Sequence, residues 1–320
     1  MSNEKDFTEK ILFDLPDVFA DIFNVLLFEG KQIIKPEDLV SDGTVSQLKI
    51  ANDLHMQERD VSKIWTKGNA RLSLLGIENQ TKQDRDMPFR IVSYDGAAYK
   101  AQANQHLAAA RLKAEGKSGP ETEPWPPYPV VSLVLYFGKT KWNRPKTILE
   151  CLGNHIPEVL KPFVSDYRIN VFDIYWLDDE TVKKFQSDFS LVADYFVQTR
   201  KYGENYVPSK KTVHHVHEFM SFLSAVLGDK RYSEMLEDPD FQEHAKKGDV
   251  TMCEVLDKAE QKGLKQGIEQ GFKKGISDYA NALKELTSRL IREGKTDEVI
   301  KAASDLDYAE SLFKRYHISY

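Results

Sequence analysis

Residues 59–80 decide the reading: Arg59-Asp60-Val61-Ser62-Lys63-Ile64-Trp65, then the turn signal Lys67-Gly68-Asn69, then Leu72-Ser73-Leu74-Leu75-Gly76-Ile77-Glu78-Asn79-Gln80. Both apolar runs have the length of strands, and the Gly-Asn pair separates them. Each run carries a carboxylate, Asp60 on the first and Glu78 on the second. Side chains two apart on a strand share a face, so Gln80 projects with Glu78 while Asn79 points away. Hard cations such as Mg²⁺ take oxygen ligands and keep several waters, so one or two carboxylates plus substrate phosphate oxygens suffice to hold them. Asp60 and Glu78 supply that minimum. Two solvated strand carboxylates, drawn from the 50 acids of the chain, are the alternative.

Outward from this pair, the elements alternate. Apolar residues at 19, 22, 23, 26 and 27 give 13–28 the spacing of a helix with one buried face. Short strands follow from 48 to 80. Met87-Pro88 opens a helix running to about 111, with proline suited to its first turn. The stretch 116–129 is rich in Pro, Gly and acids and reads as a surface loop, and the apolar run 130–137 reads as a buried strand. A further strand is expected at 167–177, then helices at 181–202 and 214–227. This order describes an α/β core with a sheet of four or five strands.

The length, 320 residues, suits two domains or one domain with an appendage, and 41% hydrophobic with 11% aromatic residues is enough for a sizeable core. Cys151 and Cys253 are the only cysteines, with no metal-type spacing, which favours a reducing compartment over a disulfide framework. The polar residues 1–10 lack the apolar stretch of a signal peptide, and no apolar run reaches the roughly twenty residues of a membrane span. A soluble cytoplasmic protein is expected.

A net charge of −6 argues against nucleic-acid binding by the whole surface, so local clusters decide. Lys139, Lys141, Arg144 and Lys146 lie together without an acid, with Trp142 among them. Arg200, Lys201, Lys210 and Lys211 form a looser second group. Either group is a candidate phosphate track or a merely solvated loop.

The segments GIENQT at 76–81, MPFRIVSYDGAAYKAQ at 87–102, PVVSLVLYFG at 129–138 and SDFSLVADYF at 187–196 resemble the Rpn family of recombination-promoting nucleases and YhgA-like transposases. The likeness covers most of 10–230. It implies a PD-(D/E)XK restriction-endonuclease-like core with a mixed four- to five-stranded sheet flanked by helices. By the resemblance, Asp60 stands for the strand aspartate of the nuclease motif and Glu78 for its second acid. Gln80 takes the place of the lysine found in the wider superfamily, and offers neutral hydrogen bonds where lysine offers a full charge. The implied activity is Mg²⁺-dependent (or Mn²⁺-dependent) hydrolysis of DNA phosphodiesters, associated with recombination or mobile elements. Asp60, Glu78 and Gln80 are its catalytic set, and Asp21, on the first helix, is a further metal ligand alongside Asp60 and Glu78. Arg90, Lys139, Lys141 and Arg144 are the substrate-binding candidates. The alternative is a non-catalytic DNA-binding or oligomeric assembly protein on a nuclease fold.

In the helix after the E-x-Q strand, Tyr94, Asp95, Tyr99 and Gln102 accompany Arg90 at helical spacing, and Gly96-Ala97-Ala98 suggests close packing on the sheet. His214, His215 and His217 lack a fourth partner at zinc spacing and are read as capping or packing residues. Beyond 230 the chain becomes a charged helical extension. Between 262 and 276, Gly263, Gly267, Gly271 and Gly275 recur every fourth residue, followed by Leu264, Ile268, Phe272 and Ile276. Four interior glycines cost a helix roughly 4 kcal/mol, which close approach of a second helix offsets. A homo-oligomer through 262–276 is expected on that ground, against a partnerless linker. The end of the chain reads as short helices around Gly294, a packing or regulatory appendage.

Overall fold

The computed structural model describes residues 10–41, 46–50, 53–57, 60–68, 70–117, 127–248 and 250–319, with backbone alone at 46–50, 53–57 and 70. The turn residue Asn69, Arg59 and most of the Pro-rich stretch expected as a loop lie outside the described residues.

By compactness the chain divides into two units, Met1–Leu256 and Asp257–Tyr320. In the first, helix α1 (Pro16–Leu26) precedes strands β1 (Leu39–Ser41), β2 (Ser46–Ile50), β3 (Asp53–Gln57), β4 (Val61–Lys67) and β5 (Ala70–Gln80). Helix α2 (Met87–Ala114) carries the chain across to β6 (Val130–Tyr136). There follow α3 (Ile148–Leu152), β7 (Asn170–Asp173), α4 (Asp179–Lys184), α5 (Phe189–Tyr202), α6 (Val216–Leu227), α7 (Lys230–Leu236) and α8 (Pro239–Lys246). Five strands form one mixed sheet in the order β1-β4-β5-β6-β7, while β2 and β3 pair separately. The β4–β5 and β1–β4 pairs are antiparallel; β5–β6 and β6–β7 are parallel. The protein therefore has the α/β core with a five-stranded mixed sheet that its sequence suggests.

The pleat of β6 shows how the layers form. Val134 and Tyr136 face one side, where they pack with Met87, Ile91 and Tyr94 of α2 and with Trp142 and Ile169. Phe137, one step further, faces the opposite side, where its ring meets Phe13, Phe196 and Phe222 at centroid distances of 6.3, 5.3 and 5.5 Å. Aromatic pairs at such spacings add to the stabilisation from buried area. Helices thus cover both faces of β6, as a strand apolar on both faces requires.

Three expectations change. The strand read at 167–177 is β7 alone, followed by a 3-10 turn at Ile174–Trp176. Asp173 accepts the Trp142 amide (2.7 Å), which fixes the end of that strand. The single helix read at 181–202 is two, because the chain between α4 and α5 turns onto a buried carboxylate described below. The boundary drawn at 230 by composition falls inside the first compact unit, since Tyr232, Met235, Phe241, Val250, Met252 and Val255 are buried. Those apolar anchors are diluted among charges in the sequence.

The second unit contains α9 (Met252–Arg292) from Asp257 onward, α10 (Thr296–Ser304) and α11 (Leu306–Tyr316). Ala282, Leu286, Leu290, Ala302, Ala309, Leu312 and Phe313 are its core. Gly294 has φ +71°, a conformation glycine adopts at no steric cost, and it stops the helical run before it as read; that run is the last part of a helix that extends unbroken from Met252. Helix α9 runs unbroken through its glycines; a Cβ at Gly267, Gly271 or Gly275 would meet nothing within 4 Å. No helix of the described residues is long and apolar enough to cross a membrane.

Candidate active site

The antiparallel register pairs Val61 with Ile77, which sets Asp60, at the entry to β4, beside Glu78. Asp60 Oδ2 accepts the Asn79 amide at 2.7 Å, so backbone geometry locks the two carboxylates together. Gln80 lies on the same face and its amide donates to Glu78 Oε1 at 3.4 Å. The face is the one covered by α2. From that helix Arg90 donates to Glu78 Oε1, and its second nitrogen donates to Asp84 at 3.2 Å. Lys10 brings its ammonium to 3.4 Å from Asp60 Oδ1.

Glu78 is only 3% exposed, and its Oε2 is buried with no hydrogen-bond partner. Burial, and then the adjacent Asp60 charge, push its pKa up to about 8. Burial also raises Asp60, against the lowering effect of the Asn79 amide and Lys10. For Arg90, burial opposes the charge, but Glu78 and hydrogen bonds to Tyr94 and Asp84 hold its pKa above the usual guanidinium value. Tyr94 is raised by burial and by Glu78. Two acids that resist ionising side by side, with an unsatisfied inward oxygen, form a site suited to a cation. Hard oxygen donors of this kind fit Mg²⁺ or Mn²⁺.

Asp21 is not part of this group. Its Oδ2 accepts the amides of Gln186 and Ser187 at 2.9 and 2.8 Å and the Ser187 hydroxyl at 2.7 Å, which makes the bend between α4 and α5. Among the described residues no three of His, Cys, Asp and Glu come together as a metal cluster. Two carboxylates remain as candidate donors, the number at which substrate phosphate would complete a Mg²⁺ shell.

The basic loop lies next to the same strand ends. Phe137 donates its amide to the Gln80 carbonyl at 2.7 Å. Beyond it, Gln83 donates to Thr140 Oγ1 and to the Lys141 carbonyl at 3.1 and 3.0 Å. Lys139, Lys141 and Arg144 are exposed on this loop. Gly138 is obligatory at its start, since a Cβ there would stand 1.9 Å from the Tyr136 hydroxyl. Trp142 is buried against Tyr136, so the aromatic exposed beside the cations is Trp176 instead.

The other polar residues of α2 are structural. Asp95 accepts from Ser132 (2.7 Å) and Tyr167, Tyr99 accepts the Val130 amide (3.0 Å), and Gln102 bonds both backbone groups of Tyr128. Gly96 has open space around it and Ala98 makes the close packing. The amides of His214 and His215 donate to Asp188, and the His215 ring meets Asp17 at 3.0 Å.

Residues 48–198, which span β5, α2, β6 and the basic loop, match the model of the family described as "Putative transposase, YhgA-like". Over that segment the chain is similar to the YhgA-like family. No curated protein and no solved structure matches the chain. The family model places Asp60, Glu78, Gln80 and the loop at 139–144 within one matched segment and leaves Lys10, Asp21 and Arg200 outside it. Sequence reading had no signal for Lys10, an unremarkable lysine in a polar stretch that only the tertiary fold carries to Asp60.

Proposed function

We propose that this YhgA-like protein is a metal-dependent DNA endonuclease of the PD-(D/E)XK type, acting in recombination or on mobile elements. The observation that carries the reading is the buried, backbone-locked pair of Asp60 and Glu78 with an unsatisfied Glu78 oxygen. Asp60 and Glu78 hold Mg²⁺ or Mn²⁺. The chemistry drawn from the bound ion is a water of lowered pKa and neutralised charge on the phosphoryl oxygens. Gln80 orients by neutral hydrogen bonds, and Lys10 supplies beside Asp60 the positive charge that Gln80 lacks. Arg90 fixes the Glu78 carboxylate and offers its half-exposed guanidinium edge to phosphate. Lys139, Lys141 and Arg144 bind the DNA backbone next to the scissile position. The thiols of Cys151 and Cys253 suit the reducing cytoplasm as its compartment.

Supercoiled plasmid incubated with the protein and Mg²⁺ or Mn²⁺ tests this, beside Asp60→Ala and Glu78→Ala chains matched by circular dichroism. Nicking or linearisation that needs metal and vanishes in both variants is expected. Absence of cleavage by the wild-type chain with either metal would leave a non-catalytic DNA-binding or assembly protein. The assembly role rests on α9, where Leu264, Ile268, Phe272 and Ile276 are 56–70% exposed along one ridge, a surface for homo-oligomerisation.

A further inference from the structure

The two basic groups that are remote in sequence meet at one residue. Trp176 closes the 3-10 turn after β7 and is 37% exposed. The Lys141 ammonium stands 4.9 Å from the centroid of its ring and the Arg200 guanidinium 4.3 Å. Its indole N–H donates to the Lys139 carbonyl at 3.2 Å. Arg200 Nε donates to the Tyr175 carbonyl at 2.7 Å, which anchors the guanidinium by one nitrogen and leaves its terminal fork. Cations seated on an indole face are held electrostatically while their outer N–H groups remain available.

Charge balance is the second observation. Among the described residues, no carboxylate forms an ion pair with Lys139, Lys141, Arg144 or Arg200, although acids outnumber bases in the chain, 50 to 44. Lys201, the neighbour of Arg200, is neutralised by Asp179, and Lys183 by Glu180. Positive charge is thus left uncompensated where Trp176 organises it. The same loop is hydrogen-bonded to the segment that leaves Gln80, which ties Lys139 and Lys141 to the chain just beyond the strand that carries Glu78.

We infer that Trp176 organises a backbone clamp for DNA, in which Lys141 and Arg200, seated on the indole, and Lys139, fixed through its carbonyl, bind phosphates of a strand that passes Asp60 and Glu78. The clamp takes its substrate class from the nuclease reading and adds Trp176 and Arg200 to it. Phosphate contacts position a strand without reading its sequence, so the clamp confers affinity and register rather than sequence preference.

Fluorescence anisotropy of a labelled DNA duplex with the full chain, in EDTA across a salt series, tests the clamp apart from cleavage. The Lys141→Gln/Arg200→Gln chain is expected to bind about tenfold more weakly, with the slope of log K on log salt shallower by about 2, one for each lost phosphate contact. Trp176→Ala is expected to weaken binding in the same direction and Trp176→Phe, which keeps a ring beneath the cations, to recover most of it. Lys183→Gln serves as the neutral control. Unchanged affinity and slope in the double variant, with circular dichroism showing it folded, would overturn the clamp, as would absence of DNA binding by the wild-type chain. If the double variant loses DNA while no chain cleaves plasmid, the clamp stands and the nuclease reading fails. If cleavage needs Asp60 and Glu78 but the double variant binds as wild type, the clamp fails alone.

Discussion

Glu78 shows at the scale of one residue how a site is held against stability. The folded chain keeps its proton up to about pH 8, whereas the unfolded chain releases it near the ordinary glutamate value of 4.5. The folded state therefore binds the extra proton between those limits, and its stability falls as pH rises through that window. Glu78→Gln, which cannot ionise and still accepts from Arg90, is expected to raise the melting temperature at pH 8.5 in EDTA. The gain is on the order of a few kcal/mol, because each tenfold change in proton affinity is worth roughly 1.4 kcal/mol and local relaxation takes back part of it; it shrinks toward pH 5. Thermal denaturation at the two pH values checks it; an equal difference at both would show that burial of Glu78 carries no charge penalty. Lys10 makes the converse case. Lys10→Ala is expected to lower cleavage at least tenfold, roughly the 1.4 kcal/mol of one lost charge contact. Adding Gln80→Lys to that chain is expected to restore part of it, and plasmid assays showing no rescue would argue that the two positions do not share a role.

At the scale of elements, Asp21 is the instructive residue. The resemblance implies a metal ligand there, but the carboxylate accepts three hydrogen bonds from the 186–187 bend and interrupts what periodicity alone reads as one helix from 181 to 202. Removing it leaves three donors unsatisfied near a buried position. Asp21→Ala is expected to cost about 2–4 kcal/mol in urea denaturation while plasmid cleavage per folded molecule stays at the wild-type rate. A selective loss of metal affinity with unchanged stability would return Asp21 to the site. The strand β7 tells the same story more mildly. Its apolar run reads as a longer strand, and the bond from Trp142 to Asp173 ends it and turns Trp176 outward.

At the scale of the molecule, α9 presents Leu264, Ile268, Phe272 and Ile276 to solvent beside a row of glycines. Apolar residues spaced by four form a ridge, and glycines at the same spacing form a shallow groove alongside, the surface on which the proposed self-association rests. Light scattering coupled to size-exclusion chromatography is expected to give a mass above 36.7 kDa for the chain and a monomer mass for Ile268→Lys/Phe272→Lys. Equal masses for both would remove the assembly role. The substitutions lie on an exposed face, so folding of either compact unit is not expected to change.

Legible along the chain were the α/β alternation, the placing of Asp60 and Glu78 on neighbouring strand-like runs, the shared face of Glu78 and Gln80, and the helix stop at Gly294. These follow from local periodicity and from turn chemistry, which are properties of neighbours along the chain. Folding in three dimensions brings Lys10 to Asp60, Arg90 to Glu78, Asp21 to a bend, and Lys141 and Arg200 together on Trp176. Each of those contacts joins residues on different elements. Their partners are fixed by how buried faces pack, and pattern within a single element carries no information about which side chain another element will bring.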